Sequence, residues 1–253
     1  MSAPEASEPQ GSDPTGSDLQ DSARAHARLA LVALTAGTAS LDVTAFFRLG
    51  GVFASVMTSN LVFVGVAVVK TEAAFGFRCA VAILSYIVGV GLGSAIAPPS
   101  GRENRLGTRP LSLLLTGELA VLVGYAIWWM AVDARPAGWA RLALLGGIAL
   151  AMGSQSAAAR QLGSPHVGTT YLTGTLTSLV SSVSSRRRPD PESIAVLVAL
   201  LVGAGAAAAL IDAAPITVPL LALAGVGTAV ALSWRISRTA RPSSEQPAAK
   251  RGG

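Results

Sequence analysis

Long apolar runs separated by short polar stretches dominate the chain from Leu29 to Trp234. A hydrocarbon core about 30 Å thick needs roughly 20 apolar residues per crossing helix, and runs of about that length recur along the chain. The pattern predicts an all-α, polytopic transmembrane helix bundle. The predicted apolar segments are 29–47, 51–69, 74–97, 111–131, 139–158, 169–184, 194–211 and 215–234.

The two ends of the chain differ from this apolar middle. Residues 1–25 are rich in Ser, Gly, Pro and acidic residues, whereas 237–253 is polar and basic. Neither stretch has enough apolar surface to fold, so we expect disordered tails on either side of a transmembrane domain at 26–236. No basic region followed by an apolar core opens the sequence, which argues against a cleavable signal peptide.

Composition supports the membrane class and narrows the expected partners. The chain is 51% hydrophobic and 13% charged, whereas soluble domains are about a quarter charged. The net charge of +5 is compatible with nucleic-acid binding, but no basic residues cluster on an aromatic-bearing soluble surface. The lipid bilayer, and not nucleic acid, is therefore the expected partner. The single cysteine, Cys79, lies in an apolar run and has no internal disulfide partner.

The distribution of Lys and Arg predicts the orientation. If all eight segments cross, most of the 19 Lys and Arg residues share the side of the two tails. The positive-inside rule then places both termini in the cytoplasm, with the protein in the plasma membrane. The sixth segment is short and hydroxyl-rich, and treating it alone as non-crossing would move Arg186, Arg187 and Arg188 outside. Within a range of six to eight spans we therefore favour eight, with segments two and six short or broken.

An internal repeat relates the two halves, at about 29–131 and 139–234. RLGGVFASVMTSNLV at 48–62 resembles QLGSPHVGTTYLTGTLT at 161–177, and AGTASLD at 36–42 resembles MGSQSAA at 152–158. Four crossings per half would relate the halves in parallel. Repeats of this kind are common in secondary transporters, whose sites lie at the midplane and use interrupted helices.

Polar side chains in these broken segments are candidates for a binding site. Segment two carries Thr58, Ser59 and Asn60, and segment six carries Thr173 and Thr175. Non-helical backbone at membrane depth must line a cavity or be buried in protein. Two interpretations remain open: these groups, with Gln155 of segment five, bind a small solute, or they hydrogen-bond across helices as packing contacts.

Two carboxyl groups lie at membrane depth, Asp42 in the first segment and Glu118 in the fourth. A charged side chain there costs about 2.5–3.5 kcal/mol, so each is a candidate for a functional site. Asp42 is either a proton or cation site or a structural partner of Arg48 or Arg160. These two arginines are expected mainly as interfacial anchors.

Metal, cofactor and catalytic motifs are not evident. His166 follows Pro165 without a second metal-capable side chain nearby, so neither a metal nor a cofactor is expected. The sequence contains no HExxH or GxSxG pattern, and we do not expect an enzyme. Intramembrane chemistry by Asp and Glu is the least favoured alternative.

These motifs resemble the YoaK family of bacterial multi-pass membrane proteins, a domain-of-unknown-function family. Its motifs are similar to GxxDAxxFxxLGxVFxxxMTGN and to MGxQNA followed by TTxxTGTLT. Ser59 and Ser156 depart from this pattern by replacing a glycine and an asparagine. The resemblance implies a bundle of about six helices and names no substrate. The matching residues are Asp42, Leu49, Gly50, Val52, Phe53, Met57, Thr58, Asn60, Gly153, Gln155, Ala157, Thr169, Thr170, Thr173, Gly174, Thr175, Leu176 and Thr177.

The sequence thus favours a transporter or binder of a small solute or coupling ion, with its site between the two repeat halves. The alternative is a membrane scaffold or partner subunit that transports nothing. The substrate, the coupling ion, the transport direction and the oligomeric state are left open.

Overall fold

The computed structural model of the chain describes residues 16–96, 108–161, 172–184 and 190–239. Within these ranges the backbone forms eight α-helices and a short 3₁₀ turn, and no strand is found there. This arrangement confirms the predicted all-α class. The helices are α1 (Gly16–Arg48), α2 (Met57–Val69), α3 (Ala73–Ile96), α4 (Thr108–Ala131), α5 (Gly138–Gln161), α6 (Leu172–Ser184), α7 (Pro191–Ala213) and α8 (Pro219–Thr239).

Six of the described helices are long and apolar enough to cross a membrane: α1, α3, α4, α5, α7 and α8. The other two, α2 and α6, have 13 residues each. A 13-residue helix is about 20 Å long, and the hydrocarbon core is about 30 Å thick. The structure therefore favours six candidate spans, within the predicted range of six to eight, over the eight crossings favoured above; α2 is too short to cross, and segment six is described over 13 residues only.

The first and last helices extend beyond the apolar segments. α1 begins at Gly16, inside the stretch 1–25 that composition predicts to be disordered, and α8 ends at Thr239. Adding a residue to an existing helix needs no new nucleation, so polar residues next to an apolar helix join it. The remaining tail residues, 1–15 and 240–253, lie outside the described part of the chain.

Local sequence signals define where α7 begins. Asp190 accepts hydrogen bonds from the backbone N–H groups of Glu192 and Ser193, and Pro191 occupies the first helical turn. An aspartate cap followed by proline is a strong helix start, because it satisfies donors that have no partner inside the helix. The local sequence therefore defines the residue at which α7 begins.

Contacts at both ends show that α1 and α7 run in the same direction. Arg28 Nε, near the start of the apolar span of α1 (Arg24–Arg48), lies 2.8 Å from Glu192 Oε2 near the start of α7. Near the end of both helices, Arg48 Nη2 donates to the carbonyl oxygen of Ile211 at 2.7 Å. The two helices are thus parallel neighbours.

α3 and α5 also run in the same direction. A Cβ atom built on Gly146, early in α5, would lie 3.1 Å from Ser85 Oγ of α3. A Cβ atom built on Gly93, later in α3, would lie 3.2 Å from the Cα atom of Ser154 in α5. Residue numbers rise together along this contact, so these helices are also parallel neighbours.

The short turns of the described chain gather at one end of the bundle, which we call the turn end. Trp129 Nε1, near the end of α4, donates to the carbonyl oxygen of Pro215 in the α7–α8 turn at 2.8 Å. The α4–α5 turn and the end of α1 lie at the same end, since α1 is parallel to α7. We call the opposite end, where α1 and α7 begin, the terminal end.

α2 enters and leaves the bundle at the turn end. Arg78 Nε, near the start of α3, donates to the carbonyl oxygen of Gly50, just after α1, at 3.0 Å. The rings of Phe63 in α2 and Phe75 in α3 are 5.5 Å apart between centroids. α3 therefore begins at the end where α1 finishes. The loop and α2 together form a re-entrant segment instead of a crossing.

These contacts also give the relative directions of α1 and α5. α1 runs from the terminal end to the turn end, whereas α5 begins at the turn end and runs the opposite way. Eight crossings would have made α1 and α5 run in the same direction. The difference has a simple cause, because the short α2 between them does not cross.

α1 and α5 are the central helices. Their apolar windows are 67% and 72% buried, compared with 22% for α3 and 28% for α7. The outer helices present large apolar side chains at the surface of the described bundle, including Phe77, Leu84, Leu201 and Val202. Such a surface matches the lipid tails of a bilayer. Polar groups on α1 and α5 are consequently the ones most shielded from both lipid and water.

Glycine allows the outer helices to approach the central ones closely. A Cβ atom on Gly203 of α7 would collide with the backbone of Ala36 in α1. Likewise, a Cβ atom on Gly89 of α3 would collide with the carbonyl group of Leu150 in α5. Close backbone contact through small residues is the usual basis of helix packing in membranes.

Gly89→Ala should therefore destabilise the protein, by about 1–3 kcal/mol, because the new methyl group overpacks the contact between α3 and α5. Gly91 lies in the same helix with nothing within 4 Å of its Cβ position, and it provides the matched control. Gly91→Ala should be neutral, or stabilising by up to about 1 kcal/mol. Unfolding titrations in mixed detergent micelles measure both variants. Equal effects would contradict the described contact.

Cysteine labelling tests the number of crossings. In a Cys79→Ala background, a membrane-impermeant maleimide should label Glu72→Cys and Arg135→Cys from one side and Ser22→Cys from the other. All three native side chains are exposed. Labelling of Glu72→Cys from the same side as Ser22→Cys would show that α2 crosses the membrane, and would rule out a re-entrant segment.

Candidate functional site

The chain leaves helical geometry between α1 and α2, over residues 49–56. Gly50 and Gly51 have φ angles of 117° and 79°, a backbone region that glycine adopts at little cost and other residues rarely enter. The Gly-Gly pair therefore ends α1 and lets the chain fold back along it. The residues that follow are at membrane depth without helical hydrogen bonds, so their backbone groups need other partners.

Asp42 supplies partners for two of these backbone groups. Its Oδ1 accepts from the N–H groups of Ala54 at 2.8 Å and Ser55 at 2.7 Å, and its Oδ2 accepts from Ser55 Oγ at 2.5 Å. Arg48 instead binds the end of α7, so the expected pair between Asp42 and Arg48 is not formed. The carboxylate of Asp42 holds the loop of the re-entrant segment in place.

Asn60 supplies partners for the backbone N–H and carbonyl groups of Phe53, the residue before Ala54. Its Oδ1 accepts from the N–H of Phe53 at 3.0 Å, and its Nδ2 donates to the carbonyl oxygen of Phe53 at 2.7 Å. The side chain is fully buried. Thr58 is exposed and Ser59 is half-buried. Of Thr58, Ser59 and Asn60, only Asn60 is buried. Its side chain makes the hydrogen bonds that another backbone segment would otherwise make.

A second polar cluster lies at the centre of the bundle and links three helices. Thr38 Oγ1 in α1 donates to Gln155 Oε1 in α5 at 2.7 Å, and Gln155 Nε2 donates to Glu118 Oε1 in α4 at 2.8 Å. All three side chains are at most 3% exposed. We call Thr38, Gln155 and Glu118 the central network.

Glu118 has unused hydrogen-bonding capacity. Its Oε2 is buried and has no hydrogen-bond partner in the described part of the chain. The great majority of buried side-chain polar atoms in proteins have a partner, so such an atom calls for an explanation. Here the second oxygen is open to a solute, an ion, a water molecule or a proton.

Tyr125 has a second buried atom of this kind. Its hydroxyl group, also in α4, has no partner among the described residues, and its ring lies 5.8 Å from that of Trp129. Tyr125 follows Glu118 by seven residues, which is two helical turns and therefore the same helix face. Two unsatisfied polar groups thus face the interior from one side of α4.

The predicted site residues do not form one group. Asp42 and Asn60 belong to the re-entrant segment, whereas Glu118 and Gln155 belong to the central network. Of the two threonines of α6, Thr173 is exposed and Thr175 is buried. The side chain of Arg160, and residues 162–171 with His166, lie outside the described part of the chain.

Sequence reasoning missed Thr38 and Tyr125. Thr38 precedes Asp42 by four residues, so both lie on one face of α1, and this spacing is visible in AGTASLD. Tyr125 lies seven residues after Glu118, which is also a same-face spacing. Both signals are weak on their own, because they become meaningful only once α5 is known to contact both α1 and α4.

No metal centre is found in the described ranges, where no group of three His, Cys, Asp or Glu side chains is positioned to hold an ion. The interior polar groups are instead two carboxyls with hydroxyl and amide neighbours. This donor set suits hydrogen bonding or a single positive charge better than it suits a multivalent metal.

Six apolar helices around buried polar groups define a polytopic α-helical membrane protein. Residues 30–233 match the family described as "Protein of unknown function (DUF1275)", and the chain belongs to that family. It is 32% identical over 158 residues to the UPF0700 transmembrane protein YoaK of Bacillus subtilis (strain 168), covering 62% of this chain and 67% of that protein. The predicted resemblance to the YoaK family is confirmed. No solved structure matches the chain.

Asn60→Ala should destabilise the protein by about 2–4 kcal/mol, because it leaves the N–H and carbonyl groups of Phe53 without partners in the interior. Thr58→Ala is the matched control from the same helical turn. Its side chain is exposed, so a change within about 0.5 kcal/mol is expected. Thermal unfolding in detergent compares the two. A stability loss no larger than that of the control would contradict the structural role of Asn60.

Proposed function

We propose that this protein is a plasma-membrane carrier of a small solute or ion, with its binding site at the central network of Thr38, Gln155 and Glu118. One observation carries the proposal, namely that Glu118 keeps a buried oxygen without a partner between helices of both halves. A carboxyl group used only for packing would be expected to have both oxygens satisfied. The proposal assigns binding and passage of a solute, and no chemical reaction.

The arrangement of the helices supports a two-fold internal repeat of inverted topology. α1 runs alongside α7 as α5 runs alongside α3, and α2 packs on α3 as α6 packs on α7. The close helix contacts join Gly203 to Ala36 and Gly89 to Leu150, and the same interval separates Ala36 from Leu150 as separates Gly89 from Gly203. Inverted repeats with short, interrupted helices are a common architecture of secondary transporters, and their sites lie between the repeats.

Charge supports an orientation with both termini in the cytoplasm. The Lys and Arg residues assigned to the turn end are Arg48, Lys70, Arg78, Arg135 and Arg141. By connectivity, the rest of the 19 belong to the tails or to helix ends and connections at the terminal end. Positive residues accumulate on the cytoplasmic side. Because α2 and α6 both fail to cross, the charge asymmetry is the same as for eight crossings.

The second candidate function is a membrane scaffold or partner subunit that transports nothing. It is favoured by the re-entrant segment, where the side chains of Asp42 and Asn60 hydrogen-bond to the protein's own backbone. These residues are packing contacts in either function. The two candidates therefore differ at Glu118, whose free oxygen has no structural task within the described contacts.

Currents from proteoliposomes on a solid-supported membrane test the carrier. The probes are ammonium, sodium and potassium chloride, the common amino acids and neutral monosaccharides, each added by rapid exchange. At least one should produce a transport current in the native protein. Loss of one hydrogen bond to a charged group corresponds to about tenfold or more in affinity, so Glu118→Gln should reduce that current at least about tenfold.

Glu72→Gln is the matched control, since Glu72 is exposed in the turn between α2 and α3. Its current should equal that of the native protein. A solute current that Glu118→Gln leaves unchanged would overturn the central site. If no probe gives a current and Glu118→Gln alters only the melting temperature, the scaffold is supported instead.

A further inference from the structure

The buried interior holds carboxyl groups without a matching positive side chain. Asp42 and Glu118 are buried in the described part of the chain, and no Lys, Arg or His is among its buried side chains. The remaining buried polar groups there are hydroxyls and amides, which are neutral. An anion entering this interior would meet carboxyl groups and no cation to neutralise it. The interior therefore favours ligands of positive charge.

The two carboxyl groups are not equally available to such a ligand. Asp42 already accepts three hydrogen bonds, from Ala54, Ser55 and the Ser55 hydroxyl. These donors lie beside the first turn of α2, where the helix dipole adds partial positive charge. The acceptor capacity of Asp42 is thus used by the protein itself, and Glu118 is the buried carboxyl group left open.

The hydrogen bonds of the central network determine which carboxyl oxygen of Glu118 lacks a partner. Thr38 donates to Gln155 Oε1, which leaves the amide nitrogen of Gln155 to donate to Glu118 Oε1. One oxygen of the carboxyl group is therefore held as an acceptor while the other, Oε2, has no partner. A neutral amide and a hydroxyl group orient the carboxyl group without adding charge, so a single positive charge is enough to balance it.

Tyr125 is the next open polar group on the same face of α4. It lies two turns, or about 10 Å along the helix, from Glu118 in the direction of the turn end. Its hydroxyl group can both donate and accept, and it has no partner in the described structure. Both open groups thus lie on one face of α4, where each can take a water molecule or an ion as its partner.

We propose that Glu118 binds a single monovalent cation, either a proton or a small ion such as sodium, potassium or ammonium, and that the Tyr125 hydroxyl is the next contact towards the turn end. This inference rests on the proposed function, because it names the ligand class of the same site. A divalent ion is not favoured, because such ions are usually bound by several carboxylate or carbonyl oxygens at once.

Thermal unfolding of the full chain in detergent tests the proposal without any need for transport. Sodium, potassium and ammonium chloride are titrated in turn over a range of pH, with N-methylglucamine chloride as the ionic-strength control. A ligand that binds only the folded state raises the melting temperature with its concentration. An alkali or ammonium cation at Glu118 should stabilise the native protein more than the control salt does, and the effect should shrink as protons compete at low pH.

A proton alone would give a different result. No salt would then exceed the control, but the melting temperature would depend on pH in the native protein, and infrared difference spectra would contain a protonated carboxyl band. In either case Glu118→Gln should remove the salt-specific stabilisation, or the part of the pH response and of the carboxyl band that belongs to Glu118, and the exposed Glu72→Gln should retain it. Identical responses to salt and pH in the native protein and in Glu118→Gln would overturn the proposal.

Tyr125→Phe keeps the test decisive if Glu118→Gln does not fold. This variant removes only a hydroxyl group that has no partner in the described chain, so the fold should be retained. Loss of one neutral hydrogen bond should weaken cation or proton binding by about three- to tenfold. Unchanged binding in Tyr125→Phe would exclude its hydroxyl group from the site.

The outcomes separate this inference from the proposed function. Cation or proton binding that depends on Glu118, without any solute current, would support the inference and contradict the carrier. A solute current that depends on Glu118 but shows no response to cations or pH would support the carrier and contradict the inference.

Discussion

The structure depends on one constraint, which is that no backbone N–H or carbonyl group can remain unpaired inside a membrane. Six helices meet it through their own hydrogen bonds. The loop between α1 and α2 cannot, and there Asp42 and Asn60 provide the missing partners for Phe53, Ala54 and Ser55. Without these two side chains, the re-entrant segment would have no stable position beside α1, and α3 would lose the anchor at Gly50.

The same constraint explains why the two buried carboxyl groups differ. Asp42 lies beside a break in the helix, so two free backbone N–H groups donate to its Oδ1 and the nearby Ser55 hydroxyl donates to its Oδ2. Glu118 lies in the middle of α4, where the neighbouring backbone groups are already paired within helices. It can only be satisfied by side chains, and Gln155 reaches one oxygen alone. The position of a carboxyl group relative to a helix break therefore separates a structural acid from an open one.

Close helix contacts bring the central network together. Gly89 and Gly203 let α3 and α7 pack against the backbones of α5 and α1, so the two central helices are enclosed by the outer ones. Thr38 and Gln155 can then meet across the centre, 117 residues apart in the chain. Larger residues at these glycines would separate the helices, and short side chains such as threonine would no longer bridge them.

Much of the architecture could be predicted from the sequence, because it depends on local properties. The apolar lengths predicted the membrane helices, the polar residues of segments two and six marked these as interrupted, and the depth of Asp42 and Glu118 marked both as unusual. The family resemblance was equally visible, since DVTAFFRLGGVF and TGTLT are contiguous motifs. The functions of the individual polar groups were not predictable in this way, since hydrogen-bond partners lie far apart in the sequence.

The sequence by itself determined that this protein is a helical membrane protein with two polar, interrupted segments, because hydrophobic length and glycine content act locally. Only the tertiary structure decided that the first of these segments does not cross, that the two central helices run in opposite directions, and that Asp42 is satisfied while Glu118 is open. The physical reason is that a 13-residue apolar helix and a buried acid are each compatible with several arrangements. Contacts with distant residues, such as Arg78 with Gly50 and Gln155 with Glu118, select one of them.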